Sequence, residues 1–273
     1  MVSRVLGRLL RGLARLLHAL HLFWIARAIA NRLPPRLRLR VSKLQMRLGY
    51  MQGMTLVPED QLPETFASAL RYLGKDSAET PATYLEFGVY IGTSLACMYQ
   101  AASKVGAAKL RIVGFDSFEG MPAGVEQEDG SHWHKGELYS DVALTQQNLT
   151  RLGVPLARIE LVPGWFDDSL TEKTRQRLGL RSADIVMVDC VIASATRTAL
   201  DFLLPLLTDR TIVFFDDWAI FDLERRGLGE KAAFEAWLVD HPEVKAEHLP
   251  DISYSAEART FLLTRPGTAA AVA

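Results

Sequence analysis

Cysteine and long apolar runs are both scarce in this chain. Its 273 residues include two cysteines, Cys97 and Cys190, and both lie within apolar stretches. Such positions are typical of buried free thiols in a reducing compartment, which argues against a disulfide-stabilised secreted scaffold. The apolar stretch at residues 16–30 is interrupted by two histidines and an arginine. It falls short of the roughly 20 apolar residues that a membrane span needs, so we expect a cytoplasmic protein.

Acidic residues are absent from the first 58 positions. Eleven of the 31 Lys and Arg residues precede Glu59, but none of the 32 Asp and Glu residues does. This asymmetry predicts a separate N-terminal segment, residues 1–50, whose partner is anionic or is the acidic body of the protein itself. The sequence carries no zinc-finger, helix-turn-helix or RNA-binding signature, so we do not expect that partner to be nucleic acid.

The N-terminal segment has the pattern of a basic amphipathic helix. Arginines at positions 4, 8, 11 and 15 share one helical face, leucines fill the rest, and Pro34-Pro35 ends the helix. Three alternatives stay open. The helix lies peripherally on the inner membrane surface, packs on the body or on a second subunit of a homo-oligomer, or is a targeting peptide with Ala28-Ile29-Ala30 as a cleavage-like triplet.

Strand-like and helix-like segments alternate from about residue 56 onward. Strands are predicted at 83–87, 110–115, 159–162, 185–188 and 211–215, with a final edge strand at 261–263. Helices are predicted at 93–104, 140–152 and 194–207. Strands separated by helices favour parallel pairing, so residues 51–265 are predicted to form one doubly wound, Rossmann-like α/β domain. The Ala-rich residues 266–273 are predicted to be a disordered tail.

Two of the apolar strands end abruptly in carboxylates. Asp189 follows the strand at 185–188, and Asp216 and Asp217 follow the strand at 211–215. The carboxyl ends of parallel strands meet in one crevice, where three like charges repel unless a cation compensates them. Oxygen-only ligands suit Mg²⁺. The alternative is that Asp216 or Asp217 caps the next helix and that Asp189 sits in a turn.

A glycine-containing turn, Glu86-Phe87-Gly88-Val89-Tyr90-Ile91-Gly92-Thr93-Ser94, joins the first strand to the first helix. Its glycine allows a ligand to approach closely, and the helix N-terminus offers backbone donors. Asp116 lies 24 residues beyond Gly92, where a carboxylate can accept hydrogen bonds from a ribose diol. The G-x-x-x-G spacing after a Glu favours S-adenosylmethionine over a nicotinamide dinucleotide, whose pattern is G-x-G-x-x-G.

Five segments together resemble the macrocin O-methyltransferase (TylF-type) family. They are residues 86–94, 114–122, 162–170, 189–190 and 215–218, and Phe115-Asp116-Ser117-Phe118-Glu119-Gly120-Met121-Pro122 is the most specific piece. The resemblance covers about residues 84–265. It implies a class I enzyme that depends on S-adenosylmethionine and Mg²⁺ and methylates sugar hydroxyls of natural products. The first motif and the carboxylate spacing also resemble catechol-type O-methyltransferases.

The resemblance implies a role for each matching residue. The cofactor would be held by Glu86, Gly88, Tyr90, Gly92, Ser94, Asp116, Ser117, Phe118, Trp165, Asp167 and Asp189. Within this set, Glu86 would hold the methionine part, Asp116 the ribose, and residues 165–167 the adenine. The metal ligands would be Asp189, Asp216 and Asp217, and Asp189 is also the candidate catalytic residue, which organises the acceptor hydroxyl or accepts its proton.

One departure from the family pattern bears on activity. The family usually reads Asp-Cys-Asp-Leu-Tyr-Ser-Ser-Thr, whereas residues 189–196 read Asp-Cys-Val-Ile-Ala-Ser-Ala-Thr, so Val191 and Ala193 replace an acid and a tyrosine. A second function therefore stays open beside the methyltransferase. It is a catalytically impaired adenosyl-binding protein whose N-terminal helix binds a membrane or a partner.

Two loops would determine the specificity for the methyl acceptor. The polar stretch between Pro122 and Asp141 has the length of a lid, and Trp133 in it is expected to cover the cofactor or stack on a sugar. His132 and His134 are expected to be solvated, because no third zinc ligand is nearby. Residues 221–230 either line the opposite wall or form an ordinary surface loop.

Overall fold

The computed structural model describes residues 32–34, 37, 60–74, 81–130, 132–133 and 135–265. The chain divides into two compact units, residues 1–56 and 57–273. Of the predicted N-terminal segment, residues 1–50, the structure describes residues 32–34 and 37, and the rest lies outside the described residues, as do His134 and the tail after residue 265. Within the described parts of the chain, no helix is long and apolar enough to cross a membrane.

A seven-stranded mixed sheet forms the framework of the second unit. Its strands in chain order are β1 (Thr83–Phe87), β2 (Arg111–Asp116), β3 (Ile159–Pro163), β4 (Ala183–Val188), β5 (Leu207–Phe215), β6 (Lys245–His248) and β7 (Arg259–Thr264). The spatial order is β3-β2-β1-β4-β5-β7-β6. Strands β1 to β5 pair in parallel, whereas β7 runs antiparallel to both β5 and β6.

Helices lie before β1, between the strands of the parallel part and after β5. They are α1 (Leu62–Gly74), α2 (Thr93–Val105), α3 (Val125–Glu128), α4 (Val142–Arg151), α5 (Phe166–Ser169), α6 (Glu172–Leu178), α7 (Ala193–Leu203), α8 (Leu223–Arg226) and α9 (Gly229–Asp240). The cap of α4 illustrates how a boundary is set, because the Asp141 carboxylate accepts a hydrogen bond from the Leu144 amide at 2.7 Å.

Two apolar clusters cover the two faces of the sheet. Side chains alternate along each strand, so in β4 Met187 faces one cluster and Val188 the other. The first cluster contains residues from α1 and α2, and the second contains residues from α7 and α9. Parallel strands buried on both faces read as continuous apolar runs, which is why β4 and β5 were recognisable in the sequence.

The α/β prediction is confirmed, with two corrections. Residues 261–263 do not form an edge strand, because β7 is paired on both sides and β6, which was not predicted, forms the edge. The helix predicted at 194–207 ends at Leu203. A short 3-10 turn with Pro205 near its start follows, and β5 begins at Leu207. Proline cannot donate the backbone bond that would continue the α-helix.

Candidate active site

The carboxyl ends of the five parallel strands lie side by side and carry most of the predicted site residues. In spatial order, β3 leads to Trp165, β2 ends in Asp116, β1 leads to Gly88, β4 to Asp189 and β5 to Asp216. The strand order reverses between β1 and β4, which is where open α/β sheets bind ligands. The sheet therefore places the predicted cofactor residues on one side of this switch point and the carboxylates on the other.

Gly88 is the point at which these two sides touch. Its φ is +91°, and a Cβ added there would lie 1.9 Å from the carbonyl oxygen of Asp189. No side chain fits this position, so the turn after β1 can pass over the end of β4 only with glycine. Tyr90 also has a positive φ, of 50°.

Helix α4 holds the rest of the turn in place. The Thr145 hydroxyl donates to the carbonyl of Tyr90 at 2.6 Å, and the Asn148 amide donates to that of Ile91 at 2.8 Å. At the end of the turn, Gly92 caps α2 with φ +77°, and the side chain of Leu149 leaves little room for a Cβ there. The turn is thus anchored to α4 through its backbone carbonyls.

Glu86 lies fully buried beneath the turn. Its carboxyl oxygens accept hydrogen bonds from the Tyr84 hydroxyl at 2.6 Å and from the Ser94 hydroxyl at 2.7 Å. Burial raises the pKa of Glu86 from 4.5 to about 8, and the two hydroxyl bonds oppose that rise. A buried acid of this kind gains from a cationic partner, because a positive charge stabilises its ionised form.

Asp116 stabilises the turn through three backbone bonds. Its Oδ2 accepts from the amides of Val89 and Tyr90, both at 2.8 Å, and its Oδ1 accepts from the amide of Phe118 at 2.6 Å. A carboxylate has about four acceptor sites, so Oδ1 keeps capacity for a ligand hydroxyl.

The other predicted cofactor residues have different surroundings. Ser117 accepts a hydrogen bond from the Glu119 amide at 3.0 Å, and Phe118 is buried with φ +55°. Trp165 is partly exposed and precedes α5, and Asp167 is exposed in the first turn of that short helix. Ser117 and Phe118 thus shape the loop after β2, while Trp165 and Asp167 remain accessible.

Three aspartates converge at the ends of β4 and β5. One carboxylate oxygen from each of Asp189, Asp216 and Asp217 lies within 4.8 Å of the other two. Burial and the neighbouring carboxylates raise the pKa of Asp189 well above its usual range. Neither Asp216 nor Asp217 caps a helix, because the next one begins after Ala219 without a side-chain cap. The structure therefore excludes the helix-cap alternative for Asp216 and Asp217, and the three carboxylates form a group that could hold a cation.

One carboxylate oxygen of Asp217 is buried without a hydrogen-bond donor in the described part of the chain. The residue is 6% exposed, and its Oδ2 is buried with no hydrogen-bond partner among the described residues. An unsatisfied buried carboxylate oxygen is costly, and a bound cation would satisfy it. Burial, followed by the charge of Asp216, raises the pKa of Asp217 well above its usual range.

Sequence reasoning missed two residues that contact the aspartates. The Tyr254 hydroxyl donates to Asp216, and this bond limits the rise of the Asp216 pKa, which burial brings to about 6. Glu230, fully buried at the start of α9, accepts from the amides of Asp217 at 3.0 Å and Cys190 at 3.4 Å. Tyr254 lies in an irregular loop that gave no signal, whereas an acid in the first turn of a helix could have drawn attention to Glu230.

Val191, which stands where the family carries an acid, has a strained backbone. It is 3% exposed, and its φ is +60°. Asp and Asn tolerate this left-handed region, but a β-branched residue there is an outlier. Valine at this position thus carries local backbone strain that an aspartate would tolerate better.

The predicted lid meets the segment after β5. His132 stacks on Phe221 with ring centroids 4.1 Å apart, and Trp133 packs edge-on to the same ring. Glu128 fastens the lid to α7 by accepting from the amide and the hydroxyl of Ser194, both at 2.8 Å. Trp133 is 9% exposed, and its Nε1 has no partner among the described residues.

Comparison with known proteins agrees with this geometry. The methyltransferase-domain family matches residues 85–218. The 8-demethyl-8-(2,3-dimethoxy-alpha-L-rhamnosyl)-tetracenomycin-C 4'-O-methyltransferase of Streptomyces olivaceus is 31% identical over 146 residues, which span 51% of this chain and 54% of that protein. The chain thus matches about half the length of this curated relative.

Two solved structures share the fold. The O-methyltransferase NovP has a TM-score of 0.57 at 16% identity, covering 75% of this chain and 79% of NovP. The calicheamicin methyltransferase CalS11 has a TM-score of 0.56 at 21% identity, covering 83% and 92%. The chain therefore has the fold of class I methyltransferases. The family match and the Streptomyces relative both support the resemblance to TylF-type O-methyltransferases that the motifs carry.

Proposed function

We propose that this protein transfers a methyl group from S-adenosylmethionine to a sugar hydroxyl of a glycosylated natural product, with the help of Mg²⁺. The observation that carries the proposal is the meeting of the Gly88 turn and the aspartate cluster at one switch point of the sheet. The Streptomyces relative, whose name specifies 4'-O-methylation of a rhamnosyl tetracenomycin, supports the choice of acceptor.

The cofactor side fits a ligand with an ammonium group and a ribose. Glu86 is buried, and an ammonium group beside it would stabilise its ionised form. Asp116 keeps one acceptor position beyond its three backbone hydrogen bonds, which a ribose hydroxyl could use. When bound, S-adenosylmethionine would supply the methyl group. The residues of the chain would align it by holding its two ends, since an in-line displacement depends chiefly on orientation.

The donor set fits a hard divalent cation. Asp189, Asp216 and Asp217 offer oxygen ligands only, and the unsatisfied Oδ2 of Asp217 lies among them. When bound, Mg²⁺ would act as a Lewis acid that lowers the pKa of a hydroxyl. Asp189 joins this cluster to the cofactor turn, and this position would allow its carboxylate to accept the acceptor's proton.

Methyl-transfer assays with glycosylated and catecholic acceptors, with and without Mg²⁺, test the proposal. We expect turnover on a glycosylated acceptor that chelator abolishes. Calorimetry should show S-adenosylmethionine binding in preference to NAD, weakened by Asp116→Ala. Cofactor binding without turnover on any acceptor would favour the impaired adenosyl-binding protein, for which the loss of an acid at Val191 is the supporting observation.

A variant of the aspartate cluster separates catalysis from stability. Asp217→Ala should reduce turnover by at least about a hundredfold, yet leave the free energy of unfolding of the metal-free protein unchanged or slightly higher, because a repelled charge is removed. The control is Asp251→Ala, at an exposed aspartate outside the cluster. Full activity of Asp217→Ala in the presence of chelator would show that the cluster is structural.

A further inference from the structure

Strands β4 and β5 separate just where the aspartates begin. Their last paired residues are Val188 and Phe215, and the Asp216 amide still donates to the Val188 carbonyl at 3.0 Å. In a regular parallel ladder the Cys190 amide would next donate to the Asp216 carbonyl. It donates to Oε1 of Glu230 at 3.4 Å instead, while the Asp217 amide donates to Oε2 at 3.0 Å.

A single carboxylate therefore bridges the two strand ends. Each of its oxygens accepts from one strand, so the fixed width of the carboxylate sets the distance between the Cys190 and Asp217 amides. These amides adjoin the residues whose carboxylates form the cluster, Asp189 and Asp216, and one belongs to the cluster member Asp217. Glu230 itself is not one of the carboxylates grouped within 4.8 Å.

The start of α9 fixes the depth at which this carboxylate lies. Gly229 has φ +66°, and a Cβ added to it would lie 3.0 Å from the Val191 carbonyl oxygen. The start of α9 thus packs directly on the segment that ends β4. The next residue, Glu230, lies between the ends of β4 and β5 with none of its surface exposed. A fourth acid beside the three aspartates adds repulsion to the site, so the stabilisation that Glu230 provides must come from the hydrogen bonds it accepts.

We propose that Glu230 is a positioning residue that spaces the ends of β4 and β5 and thereby sets the geometry of the cation site. The inference rests on the cation site of the proposed function. Partners that orient metal ligands typically change metal affinity by about 10–100-fold when they are lost.

The test measures Mn²⁺ affinity of the full-length protein by calorimetry and by electron paramagnetic resonance. Glu230→Gln removes the charge. It also places a side-chain NH2 group against one of the two backbone amides, so that two hydrogen-bond donors face each other. Glu230→Asp keeps the charge but is one methylene too short to bridge. We expect both variants to bind Mn²⁺ at least about tenfold more weakly and with an altered spectrum. Glu235→Gln, at an exposed acid of the same helix, should match the wild type.

The two explanations of weaker binding give different results. If Glu230 acts only through its charge, Glu230→Asp will bind like the wild type, and this outcome overturns the inference. Gly229→Ala keeps every charge while displacing the start of α9, so it should also weaken Mn²⁺ binding, and wild-type affinity in this variant would contradict the inference even if Glu230→Asp does not fold. A wild-type protein that binds no Mn²⁺ refutes the cation site itself.

Discussion

At the scale of single residues, the contact between Gly88 and the Asp189 carbonyl joins two functions that the sequence presents as separate motifs. One lies after β1 and the other after β4, about a hundred residues later in the chain. Their backbones meet with no space for a methyl group. The turn after β1 and the aspartate cluster therefore share a boundary made of main-chain atoms.

Substitution of Gly88 by Ala should disrupt this boundary. The new Cβ would lie 1.9 Å from a backbone oxygen, in addition to the strain of a positive φ. We expect a loss of unfolding free energy well above the roughly 1–2 kcal/mol of the φ strain alone, and no measurable cofactor binding. Gly106→Ala is the matched control, because its φ is +80° and nothing lies within 4 Å. Equal destabilisation of the two variants in urea would rule out the steric argument.

The buried carboxyl of Glu86 should make stability depend on pH. Its folded-state pKa is raised from 4.5 to about 8, so between these values the unfolded chain ionises this group while the folded protein does not. Unfolding is thereby favoured as pH rises, by up to about 1.4 kcal/mol per pH unit. The free energy of unfolding of Glu86→Gln, measured relative to that of the ligand-free wild type, should rise from pH 5 to 8 and stay constant above that range.

Urea unfolding of both proteins across this pH series measures the difference. Glu247→Gln, at an exposed glutamate of β6, serves as the control and should show no such trend. A difference between Glu86→Gln and the wild type that does not vary with pH would mean that Glu86 is already ionised in the folded protein.

At the scale of elements, the lid is held by a contact that can be weakened in steps. Glu128 accepts both from the amide and from the hydroxyl of Ser194 at the start of α7. Ser194→Ala removes one bond, and Glu128→Ala removes both. We therefore expect limited proteolysis between residues 119 and 140 to be faster in Ser194→Ala than in the wild type, and faster still in Glu128→Ala. In Glu128→Ala the free energy of lid opening should fall by about 1–3 kcal/mol.

The double variant completes the test of the lid contact. If Glu128 and Ser194 act through each other, Ser194→Ala should add little once Glu128 is already alanine. Fully additive effects would show that the lid is held elsewhere, for example by the stacking of His132 on Phe221.

Strands β1, β2, β4 and β5 were predictable because each contains an apolar run buried on both faces, and β1 was predicted with its observed bounds, Thr83–Phe87. The convergence of the aspartates followed from strand direction alone. Strand β6 was not predictable, since all four of its residues are exposed and carry no apolar pattern. Nor could the sequence pair Glu230 with two strand-end amides, because that contact depends on how α9 packs.

At the scale of the whole molecule, the N-terminal segment remains a prediction from sequence. Every residue assigned to chemistry lies after position 80, so deletion of residues 1–33 should leave methyl transfer intact. Anionic vesicles should bind the full-length protein through the arginines, at about 1 kcal/mol each, and added salt should weaken this binding. Packing on a second subunit would instead change the oligomer mass with little dependence on salt. Loss of activity in a folded, cofactor-binding deletion variant would place the segment in the active site.

Among the described residues, the sheet ends on one side in β6, whose four residues, Lys245 to His248, are all exposed. An open edge of this kind offers unpaired backbone groups to any extended chain and is a common starting point for aggregation. The charges of Lys245 and Glu247 oppose such growth, because an added strand would have to desolvate them. Neutral, β-branched residues at these two positions would turn the same edge into a template for fibrils, with no change at the active site.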